Sequence, residues 1–303
     1  MMLFNNIKFD ELMQEWLKFH EMEVGESTMY GYIKEVKYLC NFNIAHKKVR
    51  DISSSTIQDL YSGFQKSGKK RSTIISYNKV INMSLNYAVE KKYIKENPCK
   101  NVVLPKKNIY EIEPFVSEEV EKLLKIPARE WFLDACEIAF RTGMRKGEIF
   151  GLKKDVINFN KDFLMVKRGQ TLNKKGRVVL STPKTKTSRR RIDCDEETMR
   201  ILWRRYNVDD SPFIFSYDDG RMLIPWSLSD TLKKKSKAAG IKGHRFHDLR
   251  HGHSTYLLIN NVHPKIVQER LGHANVGITL DTYSHLIPGL QKTAVEALNK
   301  LTL

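Results

Sequence analysis

Apolar residues recur at helical spacing through the first hundred positions. Phe9, Leu12, Met13, Trp16 and Leu17 share one face of a first segment, and Ile33, Val36, Leu39 and Cys40 share one face of a second. Ser27 or Thr28 stands where a cap for the second helix is expected. The Ser53-Ser54-Ser55 run precedes a third segment carrying Ile57, Leu60, Tyr61 and Phe64. A longer fourth, from Ser72 to Tyr93, puts Ile75, Val80, Ile81, Leu85, Ala88 and Val89 on one side. Stripes of this kind are core-forming faces, so the pattern predicts a helical domain over residues 1–100.

The pattern then breaks. Asn97-Pro98 stops the fourth helix, Pro105-Lys106-Lys107 continues irregularly, and Pro114 precedes a helix start at Ser117, so residues 101–116 are expected to be a linker. A second domain over 117–303 begins with two or three helices up to Gly151. Short β-rich runs follow at Val156–Phe159, Phe163–Lys167, Val178–Leu180 and Arg191–Asp193, and helices return from Glu196 onward around a brief strand-like Phe213–Phe215. The expected class is mainly α with a small antiparallel β-sheet. A chain of 303 residues is ample for two cores. No run of about 18 apolar residues occurs to span a membrane, and the opening residues lack a signal-peptide core, so a cytoplasmic location is expected. Cys40, Cys99, Cys136 and Cys194 are too scattered for a zinc knuckle or a disulfide framework and read as free thiols.

Charge narrows the choice of partner. The chain carries 52 Lys plus Arg against 35 Asp plus Glu, a net +17. Residues 1–110 hold 18 basic and 11 acidic side chains and the remainder 34 and 24, so both halves are basic. A balance of this kind points to a polyanion, and its spread over both halves suits a protein that grips a nucleic-acid rod from two sides. Lys66, Lys69, Lys70 and Arg71 cluster at one turn, a site for phosphate contacts or equally an ordinary solvated turn.

Four stretches of the second domain carry candidate chemistry. In Arg141-Thr142-Gly143-Met144-Arg145-Lys146-Gly147-Glu148 a helix breaks at Gly143 and another begins, placing Arg145 beside helix N-terminal amides with Glu148 three residues on to orient it. Between Gln170 and Ile192 stand eight basic residues and no acid, including Lys184, Lys186, Arg189 and Arg190, flanked by strand-like runs. This reads as a basic hairpin for a DNA backbone or as a charged turn. His247 and Arg250 are three apart on a predicted helix, a proton-trading imidazole next to a phosphate-forking guanidinium. The fourth stretch runs from Leu271-Gly272-His273 to Asp281-Thr282-Tyr283, where a His or Tyr alone reads more readily as structural. His244, His247, His251 and His253 also cluster, but no His-Glu-x-x-His arrangement occurs and Arg250 would repel a cation, so no metal site is expected.

In this order the stretches resemble the boxes of the tyrosine recombinases of the phage-integrase family, and are similar in flavour to integrases of temperate phages and conjugative elements. The first arginine box matches Thr142–Glu148, the hairpin lysine Lys184 in Pro183-Lys184-Thr185, and the His-x-x-Arg box His247–Arg250. The Leu-Gly-His box matches Leu271–His273 and the nucleophile box Asp281-Thr282-Tyr283. The helical first domain resembles the family's core-binding domain, so the resemblance covers nearly the whole chain. Many phage and transposon integrases carry a further N-terminal arm-binding module. Here the core-binding domain begins almost at residue 1, which fits the shorter two-domain type or a chain relieved of its first domain.

The resemblance implies site-specific recombination, the integration and excision of a mobile element, through a 3′-phosphotyrosyl intermediate with neither metal, ATP nor cofactor. It implies Tyr283 as nucleophile, Arg145 and Arg250 as phosphate ligands, His247 as base, Lys184 as general acid, His273 as a phosphate donor and Glu148 as the residue behind them. It further implies a protein monomeric in free solution and homotetrameric on paired double-stranded DNA sites, associated with the nucleoid and helped by an accessory DNA-bending or directionality protein. The apolar face of Leu290, Ala294, Val295, Leu298 and Leu301 is expected to pack on a neighbouring protomer. Rival readings are a chromosome-dimer-resolution recombinase, a type IB topoisomerase with the same chemistry, and a catalytically silent DNA-binding regulator.

Overall fold

The structure is a computed structural model that describes residues 6–106, 114–182 and 189–275, with 277, 295 and 299. It divides into two compact units, Met1–Tyr110 with Leu172–Val178, and Glu111–Thr171 with Val179–Leu303.

In the first unit, helices α1 (Phe9–His20), α2 (Glu26–Leu39), α3 (Ser54–Lys66) and α4 (Arg71–Glu90) bury Trp16, Val36, Ile57, Val80, Ile81 and Leu85 of the expected stripes. In α4 the inward face also takes Ile74, Tyr77 and Tyr87, while Ile75 and Val89 are only half-buried. Ser53 caps α3 by accepting the Thr56 amide, as its position suggested. The second helix departs from expectation. It starts at Glu26 behind Gly25, with Ser27 and Thr28 inside its first turn, and Met29 and Tyr32 take the inward face while Ile33 lies outside. Tyr32 wins because its ring meets Trp16, with centroids 5.1 Å apart. Asn97 ends the excursion after α4: it is buried, its amide donates to the Asn82 carbonyl, and its side-chain oxygen caps the Cys99 amide.

The second unit opens with α5 (Ser117–Leu124), α6 (Glu130–Thr142) and the short α7 (Lys146–Phe150). Strands β1 (Ile157–Asn158), β2 (Phe163–Val166) and β5 (Arg190–Asp193) form a three-stranded antiparallel sheet in the order β1-β2-β5, and β3 (Gly169–Leu172) pairs with β4 (Val178–Ser181). Phe213 makes only an isolated bridge to Lys153. Helices α8 (Glu196–Tyr206), α9 (Leu228–Ala238), α10 (Phe246–Ile259) and α11 (Pro264–Leu271) complete it. Its core joins Phe132, Ala135 and Ile138 of α6 to Leu164, Val166 and Ile192 of the sheet and to Phe246 and Leu249 of α10. Among the described residues no helix is long and apolar enough to cross a membrane.

Helix α10 carries the His-x-x-Arg box and lies deep in this core. Its close approach to the chain entering the unit depends on Gly252, where a Cβ would stand 2.4 Å from the Phe115 carbonyl oxygen and 2.9 Å from the Phe140 ring. Gly252→Ala is expected to cost about 1–2 kcal/mol net, overpacking outweighing the gain in helix propensity. A lowered urea midpoint checks this, and an unchanged one would show that the Phe115 backbone yields freely.

Candidate active site

The site is built on a turn. Helix α6 ends at Thr142 because Gly143 takes the left-handed conformation, with φ 67°. A side chain is excluded there twice over, since a Cβ would also lie 2.6 Å from the His253 ring and 2.7 Å from Leu271. Two residues on, Arg145 caps α7. Its amide donates to Glu148 Oε2 at 2.8 Å and its guanidinium to Oε1 at 2.9 Å, so the three-residue spacing fixes backbone and side chain together.

Glu148 is 8% exposed and receives a second guanidinium bidentately, Arg190 Nη1 to Oε1 at 3.0 Å and Nη2 to Oε2 at 2.9 Å. Burial alone would push this carboxyl up. The hydrogen bonds and charge of Arg190, followed by those of Arg145, outweigh it and hold the group at about 2. Arg190 was expected on the DNA-facing surface, and the structure corrects that. Val166 pairs with Arg190 and Leu164 with Ile192, so Arg190 shares the inward face of β5 with Ile192 and its charge is engaged within the protein. Arg189 is exposed.

Helix α10 supplies the next groups. Asp248 accepts the Arg245 amide at 2.7 Å and holds the first turn. His247 is exposed, with its ring centroid 4.9 Å from that of His251. Arg250 is 2% exposed, and its Nη1 and Nη2 donate to the carbonyls of Gly143 at 2.5 Å and Leu271 at 2.8 Å. Helix α11 stops on Gly272, and the Gly272 carbonyl lies 3.5 Å from Arg145 Nη2. His273 follows, half-buried, with its own carbonyl accepting from the Gln268 side-chain Nε2 at 2.6 Å. Arg145, His247, Arg250 and His273 are thus gathered around two turns that are remote in sequence.

The histidines here are all held below the ordinary imidazole range. Although His247 is exposed as a residue, partial desolvation of its ring, then the charge of Arg250, lowers it. Burial and then Arg250 and Arg145 bring His273 to about 4, and burial and then His247 bring His251 to about 4. Near neutral pH the fixed positive charge of the site therefore resides on its arginines, and the imidazoles are neutral.

Lys184, Lys186 and Tyr283 lie outside the described residues, as does most of segment 287–303. In the first unit Lys66 and Lys70 are exposed. Lys69 rests 5.0 Å above the Tyr38 ring, and Arg71 donates to the Pro105 carbonyl at 2.7 Å. Sequence reasoning passed over Arg270 and undervalued His253, both of which bind the turns from behind. The inward use of Arg190 was detectable, because it stands two residues before Ile192 in a strand.

The depressed Glu148 carboxyl makes a pH prediction. Its ordinary value is 4.5 and its folded value about 2, so its contribution is complete above about 4.5 and is lost as pH falls through about 2. Integrated over that window it amounts to about 3 kcal/mol. Glu148→Gln is expected to be less stable than the natural protein at pH 7, and the gap should narrow from pH 5 to pH 2. Urea midpoints across that range check it, and a constant gap would refute the linkage.

Residues 114–288 match the Phage integrase family. A tyrosine recombinase XerC-like protein of Caldanaerobacter subterraneus subsp. tengcongensis is 30% identical, over 98% of this chain and 84% of that protein. The ICEBs1 integrase of Bacillus subtilis is 27% identical, over 89% of this chain and 78% of its own length. Among solved structures, the Tn1549 transposon integrase in complex with a circular intermediate DNA superposes with a TM-score of 0.83 at 18% identity, covering 96% of this chain and 99% of that one. A lambda integrase dimer bound to a COC′ core site gives 0.71 at 17%, covering 92% and 78%. At these identities the structural likeness is one of fold, while the sequence matches show the family. The chain belongs to the phage integrase family of tyrosine recombinases, enzymes of site-specific recombination that cleave and rejoin DNA strands.

Proposed function

We propose that this protein integrates and excises a mobile element through a 3′-phosphotyrosyl intermediate, with Tyr283 as nucleophile. The reading is carried by one observation. Arg145 and Arg250 reach the successive carbonyls of Gly272 and Leu271, so two guanidiniums are preorganised beside His273 on one turn, with His247 one helical turn from Arg250.

Attack on a phosphodiester builds negative charge on the non-bridging oxygens, and two fixed guanidiniums answer it without reorganising. The Tyr283 phenol loses its proton as its oxygen bonds to phosphorus, and His247, neutral near pH 7, takes that proton. The bond to the 5′-oxygen breaks, and Lys184 supplies the proton that makes it a hydroxyl. His273 donates to a phosphate oxygen, and Glu148 keeps Arg145 in place. The covalent link retains the phosphodiester energy, so a 5′-hydroxyl reverses the step without ATP.

The partner in this reading is double-stranded DNA at the chromosome in the cytoplasm. Lys66, Lys69, Lys70, Arg71, Lys186 and Arg189 contribute phosphate contacts. A free monomer assembles into a homotetramer on paired sites, with an accessory DNA-bending or directionality protein. The XerC-like relative supports a second reading, chromosome-dimer resolution by the same chemistry. Strand exchange on element-end DNA, compared with exchange on a chromosomal dimer-resolution site, separates the two.

Tyr283→Phe is expected to bind element-end DNA normally and to form no covalent adduct on a nicked suicide substrate. A shifted band from the variant on a denaturing gel would sink the nucleophile assignment. Lys184→Ala is expected to bind normally and cleave slowly, and a 5′-bridging sulfur, which needs no proton to leave, should restore the rate. Failure of that rescue would place Lys184 on the phosphate instead of the leaving group.

A further inference from the structure

Behind the two turns lies a residue outside every motif that pointed to the site. Arg270 is the penultimate residue of α11, and its guanidinium spans three elements. Nη1 donates to the Asp193 carbonyl at the end of β5 at 2.8 Å, and Nη2 to the Arg141 carbonyl in the last turn of α6 at 3.1 Å. Nε donates to His253 Nε2 inside α10 at 3.2 Å. Guanidinium nitrogens only donate, so Nε2 of His253 is the acceptor and the ring proton sits on Nδ1, where it meets the Phe140 carbonyl at 2.7 Å. His253 is 4% exposed, and its ring edge fills the space that a Cβ at Gly143 would need.

This anchor sits on a particular stretch of backbone. The carbonyl of Arg270 itself accepts from Arg190 Nε at 2.6 Å, that of Leu271 from Arg250, and that of Gly272 from Arg145. Three consecutive peptide oxygens therefore aim three guanidiniums, and the side chain of the first of those residues ties the run to the sheet and to two helices. We infer that Arg270, with His253 as its neutral acceptor, is a positioning residue for catalysis: it fixes the carbonyls that set where Arg145 and Arg250 meet the scissile phosphate.

The inference rests on the recombinase reading of the site and adds to it a residue that touches neither DNA nor the reacting atoms. Its physical content is a tolerance. A guanidinium displaced by about 1 Å from a transition-state oxygen forfeits a large part of its effect, roughly a hundredfold in rate. Lysine at position 270 keeps the charge, but its three N–H groups all leave one nitrogen, which cannot reach three acceptors on diverging elements.

The test uses the full chain and nicked duplexes carrying the element's end sequence, with either a natural phosphodiester or an uncharged methylphosphonate at the scissile position. Arg270→Lys is expected to keep its DNA dissociation constant within about twofold, while its adduct-forming rate at saturating protein falls by about ten- to a hundredfold on the phosphodiester. On the methylphosphonate, which lacks the charge that Arg145 and Arg250 answer, the deficit relative to the natural protein should shrink about tenfold or more. That comparison of substrates is made within one protein and does not depend on how much of it is folded. An equal deficit on both substrates, or none on either, overturns the positioning role. His253→Gln retains an acceptor for Arg270 and a donor for Phe140, so it should recover most of the rate that His253→Leu loses; equal losses would also overturn it. Absence of an adduct from the natural protein on the phosphodiester would overturn the recombinase reading itself, a result separate from any ratio between variants.

Discussion

The Glu148 carboxylate is the charge around which the catalytic unit is arranged. A carboxylate this buried is tolerable only when its lone pairs are filled, and here two guanidiniums and a backbone amide fill them. One of those guanidiniums, Arg190, is carried inward by the alternation of β5. The other, Arg145, stays half-exposed at the start of α7 with its remaining nitrogen toward the 271–273 turn. The buried acid therefore joins sheet and helix and leaves one of its two arginines partly exposed.

The same logic extends to the rest of the site. Arg250 is almost wholly buried, and its charge is stabilised by backbone carbonyls from Gly143 and Leu271. These dipoles fix the plane and direction of the guanidinium between two turns. Nearby imidazoles respond to that concentration of cations and to burial by staying neutral. In the proposed mechanism, charge for the transition state and capacity to move protons are thus divided between residue types.

Much of this was legible in the residues themselves. The pairing of Arg145 with Glu148 follows from an i, i+3 spacing at a helix start, and the break at Gly143 from the conformational freedom of glycine. The placement of His247 and Arg250 on one helix follows from periodicity. Other features were not legible. Strand β3 contains Gly169 and Gln170 and has no apolar alternation. It is held because the Gln170 amide donates to the Phe150 and Leu223 carbonyls, at 2.9 and 2.7 Å, partners supplied by folding.

The sequence by itself determined the two-part organisation, the helical stripes, the basic surplus and the order of the chemical boxes, because each depends on near neighbours along the chain or on simple composition. It also held, unread, the inward parity of Arg190, obscured by the surrounding run of basic residues. Only the tertiary structure decided that Tyr32 and not Ile33 enters the first core, that Arg250 bridges two distant turns, and that Arg270 and His253 brace those turns from behind. The physical reason is that carbonyl groups are identical in every residue. Which guanidinium meets which carbonyl is set by how helices and strands are brought together, and no local pattern encodes it.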